Sequence, residues 1–428
     1  MLGSAAQNVI VLTDNVFLYH LSSLDFASIG VVGVFYLMIA SIGYGFSRGG
    51  QIIIARRYGE RNYDELGQSF YALLFLELVI AIILFILLQY GSDPLFSWAL
   101  DNPEIKERCL EYIYPRSYGV FFSYVGLAIV GLYTGIARTR FIIIDTMILV
   151  IINLVLNYVL IFGKLGLPQM GIRGAAYAST IAEIVALAVF VLYVVYDRKS
   201  HALGLFRFPK LEFAMVRQSF SLSMPLVLQT ILGLGSWFIF FSLIENMGQR
   251  ELEISNLIRN VYLILSIPCW GYAAGINTLV SNFIGQRKRQ AVLPIIWKTS
   301  KINLFTSLAI TIPVVLFPAQ LLYPLFGGED MSLIHEAQPT MLVLLGILVA
   351  FSLGGIFFNG LAGTGATGTS LGLQAIATTF YLIYIFVVIK KYSLGLQWAW
   401  ACEIFYWLLL WFISYWFIRS NKWHFLRI

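Results

Sequence analysis

Long runs of apolar residues, each cut short by a small polar cluster, follow one another along the whole chain. Residues 73–88, 141–162 and 404–417 show the pattern at its plainest. Such runs would be insoluble in water, and each is close to the ~20 residues that a helix needs to cross a bilayer. The alternation predicts twelve membrane-spanning helices, over residues 1–20, 28–56, 66–90, 112–136, 141–163, 171–196, 214–245, 254–284, 293–317, 336–361, 370–390 and 396–418. Turn-forming clusters mark several breaks: Asp-Asn-Pro at 101–103, Leu-Gly-Leu-Pro at 165–168 and Gly-Gly-Glu-Asp at 327–330.

One stretch of the pattern occurs twice, about 226 residues apart. Gly45, Gly49, Gly59 and Arg61 match Gly271, Gly275, Gly285 and Arg287, and the amide Gln51 matches Asn277. A second echo follows at nearly the same offset, with Gly135 to Thr139 against Gly363 to Thr367. Repeats of apolar spans are a common construction of membrane transporters. The chain is expected to be an all-α polytopic membrane protein of two six-helix lobes. An even number of spans per lobe relates them by a pseudo-two-fold axis along the membrane normal. The predicted parts are a lobe over 1–196, a linker over 197–213, a lobe over 214–418 and a tail over 419–428. Used as a ruler, the repeat leaves the first span shorter than its counterpart by roughly ten residues.

Composition agrees: 59% of residues are apolar and 12% charged, against roughly 25% charged in a soluble domain. The net charge of +6 does not point to nucleic acid, because the basic residues gather in loops. They concentrate after even-numbered spans, as at Arg56, Arg57, Arg61, Arg138, Arg140 and Arg287 to Arg289. The positive-inside rule then puts both termini in the cytoplasm, which suits a monomer in an inner membrane with lipid around it. The three cysteines have neither metal spacing nor a disulfide pattern. No cleavable signal peptide is evident, because the first apolar stretch contains an Asp and lacks a basic head. No phosphate-binding Gly-x-x-x-x-Gly-Lys-Ser/Thr loop, selectivity filter or Ser/His/Asp arrangement stands out. Transport driven by an ion gradient fits what remains, with no cofactor.

Polar residues inside the spans are the candidates for chemistry. Asp14 lies in an apolar helix, ~9 Å below the outer end of the first span at the helical rise. A charge at mid-membrane costs about 2.5–3.5 kcal/mol on insertion scales, so such residues face a bundle interior or a watery cavity. Asn153 and Asn157 are four apart and share a helix face, about 15 and 9 Å below the outer surface, with Ser179 and Thr180 at about 12 Å. A carboxylate, two amides and two hydroxyls at similar depth could hold Na⁺ through hard oxygens or a proton on the acid. Helix–helix hydrogen bonding is the other reading of the amides and hydroxyls. Glu183, one turn deeper than Ser179, is a candidate relay or substrate contact, or a helix-pairing residue. Glu77 and Glu403 also fall within spans, Asp145 and His20 near interfaces, and Arg48 within snorkelling reach of the cytoplasm. The glycine pairs Gly45/Gly49 and Gly271/Gly275 have the spacing of close helix packing. Most tryptophans, such as Trp398, Trp400, Trp407 and Trp411, are expected in interfacial belts or on lipid-facing surfaces.

The chain resembles the multidrug and toxic compound extrusion (MATE) family of the MOP flippase superfamily. The motifs that carry the likeness are Leu-Thr-Asp-Asn-Val-Phe-Leu around Asp14, Gly-Gly-Gln-Ile-Ile-Ile-Ala-Arg-Arg-Tyr-Gly around Gln51, Gly-Ile-Ala-Arg-Thr-Arg around Arg138, Ile-Asn-Leu-Val-Leu-Asn around Asn157 and Gly-Ile-Arg-Gly-Ala-Ala-Tyr-Ala-Ser-Thr around Ala175. The second lobe adds Met224 to Gln229 and the 271–285 segment. The resemblance implies an antiporter that rocks two lobes and expels amphipathic, often cationic, small molecules as Na⁺ or H⁺ enters. Asp14 matches the family's ion-coupling acid, Asn153 and Asn157 its fifth-span pair, and Ser179 its sixth-span hydroxyl. Gln51 and Gln229, amides of two further motifs, join Glu183 as relay or substrate candidates. Where some members have Asp, this chain has Asn157. The second lobe also lacks the acids that some members carry in the seventh and tenth spans. Two other readings stay open: a lipid-linked oligosaccharide flippase, which needs a basic cavity, and an intramembrane acyl or prenyl transferase, which needs a converging His or Asp pair.

Overall fold

A computed structural model describes residue 10 and residues 13–197, 201, 203, 205, 212–318, 320, 331–392 and 394–425. Helix α1 covers residues 13–19 of the first predicted span, whose remainder lies outside the described residues except for Ile10 and His20. Helices α2 (Ser23–Glu60), α3 (Tyr63–Ala99), α4 (Pro103–Gly135), α5 (Arg140–Phe162) and α6 (Gly171–Tyr196) follow. The second half holds α7 (Phe213–Glu245), α8 (Gln249–Leu265), α9 (Ile267–Gly285), α10 (Val292–Leu316), α11 (Met331–Gly363), α12 (Thr367–Phe386), α13 (Leu396–Trp400) and α14 (Cys402–Arg419). Among the described residues, ten helices are long and apolar enough to cross a membrane, and the bent pair α8 and α9 makes an eleventh.

The span expected over 254–284 is bent by 45° between α8 and α9. Pro268 enters the first turn of α9 and has no N–H for the carbonyl of the preceding turn. Elsewhere the punctuation works as read. Asn102 caps α4 by accepting from the Glu104 amide at 2.9 Å, with Pro103 opening the helix. The turn expected at 327–330 lies outside the described residues.

The chain divides into two compact units, Met1–Val227 and Leu228–Ile428. The first turns of α7 therefore belong with the first unit. There Ser223 Oγ donates to the Phe46 carbonyl at 3.2 Å. A Cβ on Gly45 would strike Val227, and one on Gly49 would strike Ser223, so this glycine pair does serve close packing. A Cβ on Gly275 would enter open space, so its glycine is not explained by packing.

Within each unit the repeated segments meet each other. A Cβ on Gly135 would lie 3.1 Å from the Gln51 carbonyl oxygen, and one on Gly363 would lie 3.0 Å from Asn277 Cα. The two echoes in the sequence are thus the two sides of one helix crossing, built twice. Helix ends repeat too: Arg61 and Arg287 take left-handed backbone (φ 58° and 62°), as do Ala137 and Gly365 (φ 57° and 94°).

The cores differ. In the second unit Phe240, Tyr381 and Trp400 pack as rings, with Phe240 5.1 Å from Trp400 and 6.4 Å from Tyr381. This corrects the placement of the tryptophans. Trp398 is exposed, but Trp400 and Trp407 are buried. Trp400 Nε1 donates to Ser255 Oγ at 3.1 Å, and Trp407 stacks on Phe351 at 4.0 Å. A buried indole with a partner for its N–H, or a ring to stack on, gains more from packing than from the interface.

Candidate functional site

Asp14 is fully buried, and three helices supply donors to it. Asn157 Nδ2 of α5 donates to Oδ1 at 2.7 Å. Tyr112 Oη of α4 and Ser179 Oγ of α6 donate to Oδ2 at 3.1 and 3.3 Å. Hydrogen bonds to a charged group contribute about 1.5–3 kcal/mol each. Together they offset a desolvation cost of several kcal/mol for a buried carboxylate. A second layer holds the donors. Asn153 Nδ2 donates to Ser179 Oγ at 3.0 Å, and Asn157 Nδ2 reaches Asn153 Oδ1 at 3.3 Å. The spacing of Asn153 and Asn157 on one face of α5 makes this arrangement available. Asn157 Oδ1 is buried and has no hydrogen-bond partner among the described residues.

Immediately beside this cluster lies a buried ion pair that the pattern of the chain did not reveal. Arg116 Nη1 and Nη2 donate to Glu183 Oε2 and Oε1 at 2.7 and 2.6 Å, a two-pronged contact between α4 and α6. The guanidinium lies 4.0 Å over the Tyr36 ring. A Cβ on Gly119 would collide with both partners, so the glycine makes room for the pair. Arg116 falls inside the predicted fourth span, and that was the available signal: a cation in a membrane helix needs a carboxylate partner. Tyr112 is one turn before Arg116, a position that only the fold identifies as facing Asp14.

The structure brings Asp14, Asn153, Asn157 and Ser179 into one cluster. Thr180 turns away and donates to the Pro115 carbonyl at 3.3 Å. Glu183 pairs with Arg116. Gln51 is buried on α2 at the Gly135 crossing. Gln229 lies in the second unit, where its Nε2 donates to Ser370 Oγ at 2.8 Å. Neither glutamine joins the Asp14 cluster. Glu77 is fully buried, and among the described residues neither of its carboxyl oxygens has a hydrogen-bond partner. Glu403 is buried in the second unit and accepts from Trp237 Nε1 at 3.0 Å. His20 is exposed at the end of α1. Among the described residues, no three His, Cys, Asp or Glu side chains gather as a metal-ion cluster.

Comparison with known proteins places this geometry in a context. The profile of the MatE family matches residues 1–159 and 225–387. "Probable multidrug resistance protein NorM" of Thermotoga maritima is 24% identical over 423 residues, covering 97% of this chain and 89% of the relative. The protein of the same name from Photorhabdus laumondii is 23% identical over 353 residues, covering 81% and 74%. Among solved structures, a MOP superfamily transporter from Pyrococcus furiosus superposes with a TM-score of 0.87 at 19% identity, covering 98% of this chain and 93% of that one. An outward-facing multidrug resistance MATE family transporter superposes at 0.88 and 18% identity with the same coverage. These superpositions establish the shared fold, a two-lobed all-helical membrane protein.

Proposed function

This chain belongs to the MatE family, a family of transporters and not of enzymes, and on that premise we propose that it is a multidrug efflux antiporter of the inner membrane. It exports amphipathic, cationic small molecules by alternating access as Na⁺ or H⁺ enters. Both termini face the cytoplasm, and the coupling ion is cargo, loaded at Asp14.

The observation that carries this reading is the Asp14 cluster: a fully buried carboxylate held by donors from three helices, next to one amide oxygen that has no hydrogen-bond partner among the described residues. In the charged state all three neighbours donate to Asp14. A cation or proton at Asp14 reverses that demand. A proton gives the acid an O–H donor, and Na⁺ seeks oxygens. In both cases the Asn157 amide is driven to turn and present Oδ1. Turning it breaks the contact with Asn153 Oδ1 and loosens the tie through Ser179. Loading therefore changes how α5 and α6 are held against α1 and α4. It shifts the conformational equilibrium by the ion's differential affinity for the two arrangements.

Transport into proteoliposomes, with Na⁺ and H⁺ gradients imposed separately, tests the reading. Asp14→Asn should express normally and lose gradient-driven export of a cationic dye. Unchanged export by that variant would sink the mechanism. A flippase for anionic lipid-linked sugars receives less support, because Arg116, beside the cluster, is already neutralised by Glu183.

A further inference from the structure

An antiporter must release its ion on the inner side, yet Asp14 has no exposed surface. Two of its three donors lead inward. Tyr112 is one helical turn from Arg116 on α4, and Ser179 is one turn from Glu183 on α6. Glu183 in turn lines an open cleft within the first unit, together with Tyr44, Ser123, Asp145 and Thr146. Asp145 lies at the far end, about 7.5 Å from the start of α5 at the helical rise, on the side the basic loops assign to the cytoplasm. Its Oδ1 is buried and has no hydrogen-bond partner among the described residues. Hydroxyls and carboxylates thus run from the neighbourhood of Asp14 to the inner end of α5, along a cleft whose other walls are apolar.

The geometry points to an inward release path for the coupling cation, from Asp14 past Glu183 to Asp145, with Arg116 as a tethered cation that closes it. This rests on the antiport reading above. Glu183 is the nearest carboxylate inward of the Asp14 cluster on α6, and the Arg116 guanidinium holds both of its oxygens. A mobile cation that reaches Glu183 meets a like charge already bound there and is turned back. Passage requires the pair to part, which a change in the packing of α4 against α6 would bring. Tyr36 gives the guanidinium a face to rest on, and Gly119 leaves it room. The arrangement explains why a transporter would keep an arginine in mid-membrane: it prevents the gradient from leaking when no substrate is exchanged.

The test uses the full chain in vesicles of known orientation. Thr146→Cys should react with a membrane-impermeant cationic methanethiosulfonate applied from the inner side only. Thr146 lines the cleft, whereas the native cysteines are buried away from its described lining. The labelled protein should lose ion flux while still binding a fluorescent amphipathic cation. Asp145→Asn should slow the appearance of Na⁺ or H⁺ in the inner compartment about tenfold, the change that about 1.4 kcal/mol of barrier produces. Arg116→Gln should dissipate the gradient without substrate. If that variant does not fold, the other two arms decide. An inert Thr146→Cys, or a wild-type ion rate in Asp145→Asn, overturns the path. A wild-type protein without ion-driven export would instead sink the antiport reading itself, so the two failures are distinguishable.

Discussion

At Asp14 the three donors come from residues 98, 143 and 165 positions away in the chain. Asp14 was legible as a candidate, because an acid in an apolar helix demands an explanation whatever surrounds it. The pair Asn153 and Asn157 was legible from spacing. Tyr112 was not, because a tyrosine in a membrane span has many uses and only packing selects one. The site also suggests what the missing second acid does. Asn157→Asp would set two carboxylates about 2.7 Å apart, where the amide now donates, and such a pair needs a cation or proton between them. The variant should therefore melt earlier than wild type in choline chloride, and Na⁺ at equal ionic strength should restore it. Equal melting of the variant in the two salts would contradict this.

The helix crossing made by Gln51 with Gly135, and again by Asn277 with Gly363, shows how a repeat becomes structure. The glycines remain because backbone lies within van der Waals reach of the missing side chain. Overpacking a close contact costs about 1–3 kcal/mol. Gly135→Ala and Gly363→Ala should each lower the melting temperature in detergent, and Gly275→Ala, with open space around it, should not. A melt in which all three behave alike would remove the packing explanation. The break at residues 101–103 was readable, but the helices run closer to it than the predicted spans did, α3 to Ala99 and α4 from Pro103, and the bend between α8 and α9 was not readable. Pro268 announces a break, and the angle depends on what the two halves pack against.

Over the whole molecule the two lobes share a plan and differ in content. By the repeat, Asp14 corresponds to Phe240, Asn153 to Tyr381 and Asn157 to Ile385. Where the first unit has a polar cluster, the second has rings and an aliphatic side chain in contact or buried together. Coupling should then reside in one lobe. Glu403→Gln keeps an oxygen that can accept from Trp237 Nε1, and it should retain ion-driven export under the conditions where Asp14→Asn loses it. Loss of export in Glu403→Gln with normal folding would move part of the coupling to the second unit. The chain by itself determined the membrane setting, the number of spans, their duplication and the presence of an acid where none is cheap, because each follows from local hydrophobicity and spacing. Only the tertiary structure decided that Arg116 meets Glu183, that Thr180 turns from the site its neighbour Ser179 joins, and that buried tryptophans build the second core. Those outcomes depend on which helix faces pack together, and residues far apart in sequence carry no local mark of that choice.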